Sequence, residues 1–193
     1  MTDIRLEGIV KSFDGRAVFD GLTLTIPAGE TTCVMGPSGC GKTTLLNILA
    51  GLVKPDGGAV TGVPERVAFV FQEDRLCEAF LAVSNVRLVT GKRVSREAVA
   101  AALGELGLGE SLDQPVASFS GGMKRRVAVA RAVLYGAELL LLDEAFKGLD
   151  EERKRLTMDY IKAHTAGKTV VCVTHDPEEA AYLGGRIVEL GTP

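Results

Sequence analysis

Short apolar runs alternate with stretches of helical spacing along most of the chain. Residues 3–10 and 22–26 alternate apolar and polar side chains, the pattern of antiparallel strands with one face in water. The run 31-TTCVM-35 predicts a buried strand, followed by a glycine-rich turn and a helix over 42-KTTLLNILAG-51. Further strands are predicted at 66-RVAFVF-71, 139-LLLLD-143 and 169-TVVCVT-174, and 186-RIVEL-190 closes the sheet. From 74 to about 136 the period changes: in 95-SREAVAAALGELGL-108, Val99, Leu103 and Leu106 share one helical face, and 121–135 also reads as helix. One helix opens at Asp150, a good N-cap. Another opens at Asp176-Pro177-Glu178-Glu179, with Asp as cap, Pro at the first position and Glu three residues after the cap, predicting a capping box.

Strands alternating with helices define an α/β protein with a mostly parallel sheet, an N-terminal antiparallel β part and an inserted helical subdomain. The core is expected over about 1–73 and 137–193 and the helical subdomain over about 74–136. The two interleave, so a single domain 1–193 is expected. A chain of 193 residues is long enough for one well-buried core.

Composition narrows this picture mainly by exclusion. Charged residues make up 24% and the net charge is −3, so bulk charge offers no attraction to nucleic acid, and none is expected as a partner. No apolar run reaches the roughly 18 residues that cross a bilayer, and MTDIRLEGIV lacks the layout of a signal peptide. A cytoplasmic chain is expected, held at any membrane by another protein. Cys33, Cys40, Cys77 and Cys172 lack zinc-type spacing, so reduced, mostly buried thiols are expected.

The candidate chemistry begins at 36-GPSGCGKTT-44, which fits G-x-x-x-x-G-K-[ST] between a buried strand and a helix. Its backbone N–H groups suit phosphate oxygens, and the helix N-terminus adds partial positive charge. The loop residues are Gly36, Pro37, Ser38, Gly39, Cys40, Gly41, Lys42, Thr43 and Thr44. Lys42 suits the β- and γ-phosphates, the Thr43 hydroxyl suits Mg²⁺, and Thr44 adds a phosphate contact. A thiol reagent at Cys40 is expected to block the loop. The fold is therefore expected to have a P-loop NTPase core.

LLLLDE ends an apolar strand on Asp143, suited to Mg²⁺, and Glu144, suited to polarising an attacking water. Gln72 and His175 each follow a predicted strand at the edge where α/β sheets bind ligands. Finally, 118-SFSGGMKRRVAVARA-132 sets Ser120, Gly121 and Gly122 ahead of a basic helix that contains no acid, histidine or cysteine. A bare helix N-terminus with glycines suits an anion.

Together these residues resemble the ATP-binding cassette family, the ATPase subunits of ABC transporters, along nearly the whole chain. GPSGCGKTT resembles its Walker A motif, LLLLDE its Walker B with catalytic glutamate, Ser120-Gly121-Gly122 its signature, and 147-KGLD-150 its D-loop. Gln72 matches the Q-loop and His175 the switch histidine, while Phe13 falls where an aromatic stacks on adenine. The resemblance implies ATP and Mg²⁺, with Thr43, Gln72 and Asp143 around the metal and Glu144, His175 and Gln72 as the catalytic set. It also implies a head-to-tail dimer, in which Ser120, Gly121, Gly122 and Asp150 face the partner's nucleotide, and an integral membrane permease. Departures are Phe119 for Leu, Met123 for Gln, Ala145 for Pro, and Lys147 where small residues are usual. None removes a chemical group, so hydrolysis is expected.

VFQEDRL, EAFKGLD and THDPEEAAYL look most like the nitrate, sulfonate and taurine importer group, although Glu78-Ala79 stands where that group often has Pro-Trp. The chain ends just after RIVEL, so no C-terminal regulatory domain is expected. Two other classes compete. A soluble cassette ATPase of DNA repair would carry a long coiled coil between Lys42 and Ser120, for which the interval is too short; metal-cluster assembly is the other soluble role. A small P-loop kinase has no use for SGG ahead of a helix.

Overall fold

The computed structural model describes residues 2–191. Its strands are β1 (Ile4–Phe13), β2 (Arg16–Ile26), β3 (Thr31–Met35), β4 (Gly57–Thr61), β5 (Val67–Val70), β6 (Leu139–Asp143), β7 (Thr169–Val173) and β8 (Arg186–Glu189). Its helices are α1 (Lys42–Leu49), α2 (Ala82–Thr90), α3 (Arg96–Glu105), α4 (Gly121–Tyr135), α5 (Glu151–His164) and α6 (Pro177–Leu183), with 3-10 turns at Gly109–Ser111 and Val116–Ser118. An antiparallel sheet runs β2-β1-β4, and a second sheet runs β5-β6-β7-β3-β8. In the second sheet, β3 is parallel to β7 and β8, and β6 is parallel to β7.

The chain forms two compact units. The first comprises 1–69, 138–143 and 167–193, and the second 70–137 and 144–166. The helical stretch expected at 74–136 makes up most of the second unit, which also takes in 144–166 and with it α5.

The first unit's core joins Ile4, Leu6 and Ile9 of β1, Leu45, Leu46 and Leu49 of α1, Leu139 and Leu141 of β6, and Val171 and Val173 of β7. Each such side chain removed from water contributes about 1.5–3 kcal/mol. β1 and β2 run longer than the alternation predicts. Their pairing shifts between Leu6 and Ile9, Ile9 and Val10, and Lys11 and Ser12, and each shift breaks the period of two. The hairpin turns on Asp14-Gly15, both at positive φ, 48° and 78°, as a two-residue turn requires.

In the second unit α4 packs against α2, α3 and α5. Val83, Val86, Val99, Leu103, Val127 and Val129 are buried. Phe119 is buried as well, so its departure from Leu replaces one core hydrophobe with another. Ser95 and Asp150 cap α3 and α5 through their side chains, accepting from Ala98 N and Arg153 N.

The capping box expected at Asp176 does not form. Asp176 accepts from Glu178 N, while its own amide donates to Thr174 Oγ1. Glu179 turns into the core and accepts from the Thr174 hydroxyl. A buried carboxylate gains more from a buried hydroxyl than from an exposed amide.

Candidate functional site

In the first unit three strand ends line up. Asp143 of β6 pairs in register with Val173 of β7, and Val173 pairs with Val34 of β3. The loop after β3, the carboxylate closing β6 and His175 just beyond β7 therefore share the carboxyl edge of the sheet. Asp143 is 2% exposed, whereas His175 is exposed.

The phosphate-type loop is shaped by its glycines. Gly36 has φ 148°, and a Cβ there would lie 2.4 Å from the Leu190 carbonyl. Gly41 has φ 98°, and a Cβ there would meet Val18 at 2.6 Å and the Phe19 ring at 2.7 Å. Both positions thus exclude a side chain sterically as well as conformationally. Gly41 is also the N-cap of α1 and supplies no side-chain cap, and no acidic residue sits in the first turn. The helix N-terminus is left for an anion. Lys42 Nζ donates to the carbonyls of Gly36 and Pro37, each at 2.8 Å, which holds a cation within the loop.

Cys40 points inward. It is 1% exposed within the hydrophobic core, with Sγ 3.9 Å from Lys42 Nζ. The expectation that a thiol reagent strikes the loop through this residue is therefore corrected, because an adduct must first displace core packing. Among the four thiols only Cys77 is exposed. Brief labelling with a maleimide should modify Cys77 first and leave Cys40 intact with or without ATP, as peptide mapping would show. Rapid Cys40 labelling in a Cys77→Ser variant would contradict this burial argument.

Phe13 closes β1 beside the hairpin turn, 45% exposed, with Lys11 Nζ 5.0 Å from its ring centroid. The Thr43 hydroxyl opens α1 on an exposed residue. Thr43 and Asp143 both offer hard oxygen donors. No group of three or more His, Cys, Asp or Glu among the described residues could enclose a metal. That donor set fits Mg²⁺, which binds through few protein oxygens and completes its shell with phosphates and water.

The second unit holds the remaining candidates. Gln72 Nε2 donates to Glu144 Oε2 at 3.5 Å, and Lys147 Nζ pairs with the same oxygen at 3.0 Å. Glu144 adopts φ 48°, a left-handed conformation costly for a non-glycine residue and frequent at functional sites. Ser120 is the N-cap of α4, its Oγ accepting from Met123 N at 3.3 Å. A Cβ at Gly121 would meet nothing within 4 Å, whereas one at Gly122 would lie 3.2 Å from Leu149 Cδ2 and 3.6 Å from the Gly148 carbonyl. The signature-like helix start and the 147–150 segment are therefore packed together. Asp150 caps α5 through Oδ1 at 2.8 Å from Arg153 N.

Sequence reasoning overlooked how the Gln72 loop is held. Arg125 donates to the carbonyls of Phe71 and Gln72, and Arg131 to those of Asp74 and Arg75. Arg125 also lies 3.2 Å from the Asp74 carboxylate, close enough for an ion pair but without hydrogen-bond alignment. Burial pushes the Asp74 carboxyl above its ordinary range, with the nearby arginines and Lys124 opposing. Arg125 is buried and Arg131 half-buried, a placement that the basic composition of α4 does not reveal. No residue pattern on α4 marks them, because Ala and Val stand around the whole helix.

Residues 19–147 match the family described as ABC transporter, and the chain belongs to that family. It is an ATP-binding cassette with the α/β fold of P-loop NTPases, and its family hydrolyses ATP. The chain is 39% identical, over 100% of its length and 81% of the relative's, to "Aliphatic sulfonates import ATP-binding protein SsuB 1" of Pseudomonas syringae pv. syringae (strain B728a). It is 42% identical, over 97% of its length and 77% of the relative's, to the protein of the same description from Nocardia farcinica (strain IFM 10152). Among solved structures it resembles the ATP-binding cassette MJ0796 in a dimeric post-hydrolysis state bound to ADP and Pi. That likeness has TM-score 0.86 and 29% identity, and covers 97% of this chain and 94% of the other. Membership of this family removes the small P-loop kinase alternative. No helix among the described residues is long and apolar enough to cross a membrane.

Proposed function

We propose that this chain drives import of a small sulfonate-like solute by hydrolysing ATP as a head-to-tail dimer on the cytoplasmic face of a membrane permease. The observation that carries the chemistry is the row of strand ends joining the loop after β3, Asp143 and the approach to His175. The solute class and the permease rest on relatives of 39% and 42% identity described as sulfonate importers.

The loop amides of Gly36 to Gly41 and the α1 N-terminus receive the phosphates, with Pro37, Ser38 and Cys40 contributing backbone and Thr44 a hydroxyl. Lys42 neutralises the β- and γ-oxygens, and Phe13 stacks on the adenine. Thr43, Asp143 and Gln72 would hold Mg²⁺, which when bound offsets charge on the phosphate oxygens. Glu144 accepts a proton from the attacking water and orients it in line with the γ-phosphate, while His175 and Gln72 position that phosphate. The breaking bond lies between the γ-phosphorus and the bridging oxygen, and ADP leaves. Ser120, Gly121, Gly122 and Asp150 serve the nucleotide held by the partner subunit.

Mixed dimers test the trans arrangement. Ser120→Arg should leave ATP binding to the isolated chain within about twofold and abolish ATP-driven association, because the bulky cation obstructs the partner's nucleotide. Mixing Ser120→Arg with Lys42→Ala should restore one complete site, and with it ATP-dependent association of differently tagged chains. Loss of ATP binding in the isolated Ser120→Arg chain would show instead that this helix start serves its own subunit.

A further inference from the structure

Beyond the residues that surround the nucleotide, one side chain engages the hydrolytic carboxylate itself. Glu144 leaves β6 at φ 48°, and its carbonyl accepts from the Lys147 amide at 3.1 Å. The resulting turn brings the Lys147 side chain back over Glu144, with Nζ 3.0 Å from Oε2. That oxygen also takes the Gln72 amide at 3.5 Å. The Lys147 side chain remains 56% exposed, against 21% for Glu144.

We infer that Lys147 is a positioning residue that restrains Glu144, its ammonium competing at Oε2 with the water that gives up its proton. The inference rests on the reading of Glu144 as the group that polarises the attacking water. An ammonium on Oε2 competes with water for that oxygen's lone pairs, roughly half of the carboxylate's acceptor sites. A largely exposed, flexible lysine gives little rigidity in return, so the contact acts as a brake rather than as a brace. Exposed ion pairs are weak, which makes the brake light: its release raises turnover by about two- to fivefold. Lys147 is not part of the phosphate loop, so the KM for ATP stays where it is.

The test is steady-state ATP hydrolysis by the full chain at saturating ATP. Lys147→Met and Lys147→Gln should both raise kcat about two- to fivefold, with KM for ATP within about twofold of the parent. Lys147→Arg keeps the cation and should hold the parent rate. Added salt screens an exposed pair, so it should speed the parent toward the rate of Lys147→Gln and leave that variant unchanged. An unchanged or lowered kcat in both neutral variants, with thermal unfolding intact, overturns the inference. In a Glu144→Gln background, Lys147→Gln should leave ATP-driven association unaltered; altered association would assign Lys147 to contacts between subunits and overturn the brake. If Glu144→Gln alone hydrolyses ATP at the parent rate, the reading of Glu144 fails and the inference falls with it. That result is distinct from a dead Glu144→Gln beside an unresponsive Lys147.

Discussion

Glu144→Gln should bind ATP as the parent does and lose about 10²- to 10⁴-fold in turnover, the range attributed to a positioned proton acceptor. The amide keeps the shape of the side chain and a hydrogen-bond acceptor for Gln72. It loses the charge that pairs with Lys147 and the basicity that draws a proton from water. The fold should be little affected, because the ion pair it breaks is largely exposed on the Lys147 side and contributes at most about 1 kcal/mol. With hydrolysis blocked, ATP-bound chains should accumulate as a dimer, visible by gel filtration with ATP. A variant that stays monomeric with ATP and still turns over at the parent rate would remove Glu144 from the mechanism.

Lys42→Ala should lose at least about 10²- to 10³-fold in turnover, comparable to deleting one preorganised donor from a charged transition state. The cause is local: the ammonium is the cation held within the loop, bonded to the Gly36 and Pro37 carbonyls. Its removal takes away the charge proposed to neutralise the phosphates and the two bonds that tie the side chain to the loop. Unlike Glu144→Gln, this variant should bind ATP weakly, which equilibrium binding of a fluorescent ATP analogue separates from a purely chemical defect. Parent-like turnover would refute the assignment of the loop to ATP.

The parts of the molecule that were legible in sequence are those in which one periodicity prevails. β3, β6 and β7 are short runs buried along all or most of their length, and they emerge within a residue or two of their predicted bounds. The phosphate-type loop is legible because it fixes both residue types and spacing. α2 was not read. Leu81 precedes it as N-cap and provides no side-chain cap, and in place of a capping signal the helix start is anchored by a bridge between Leu81 and Pro115. β4 contains Gly57 and Gly58, residues that weaken a strand signal, and it exists through its pairing with β1. At Cys40 the sequence gives membership of the loop but not the direction of the side chain, which follows from the turn and from core space beside Gly36.

The contact between Gly122 and Leu149 has a consequence for heredity. The Cβ that Gly122 lacks would crowd Leu149, so the size of one residue sets the size permitted to the other. These positions are distant in the chain and belong to two separately recognised motifs, yet they form one steric unit. Enlarging residue 122 asks the Leu149 side chain to give by a few tenths of an ångström, so the effect of a substitution at one position depends on what stands at the other. Tolerance measured at either position alone therefore describes the background as much as the residue.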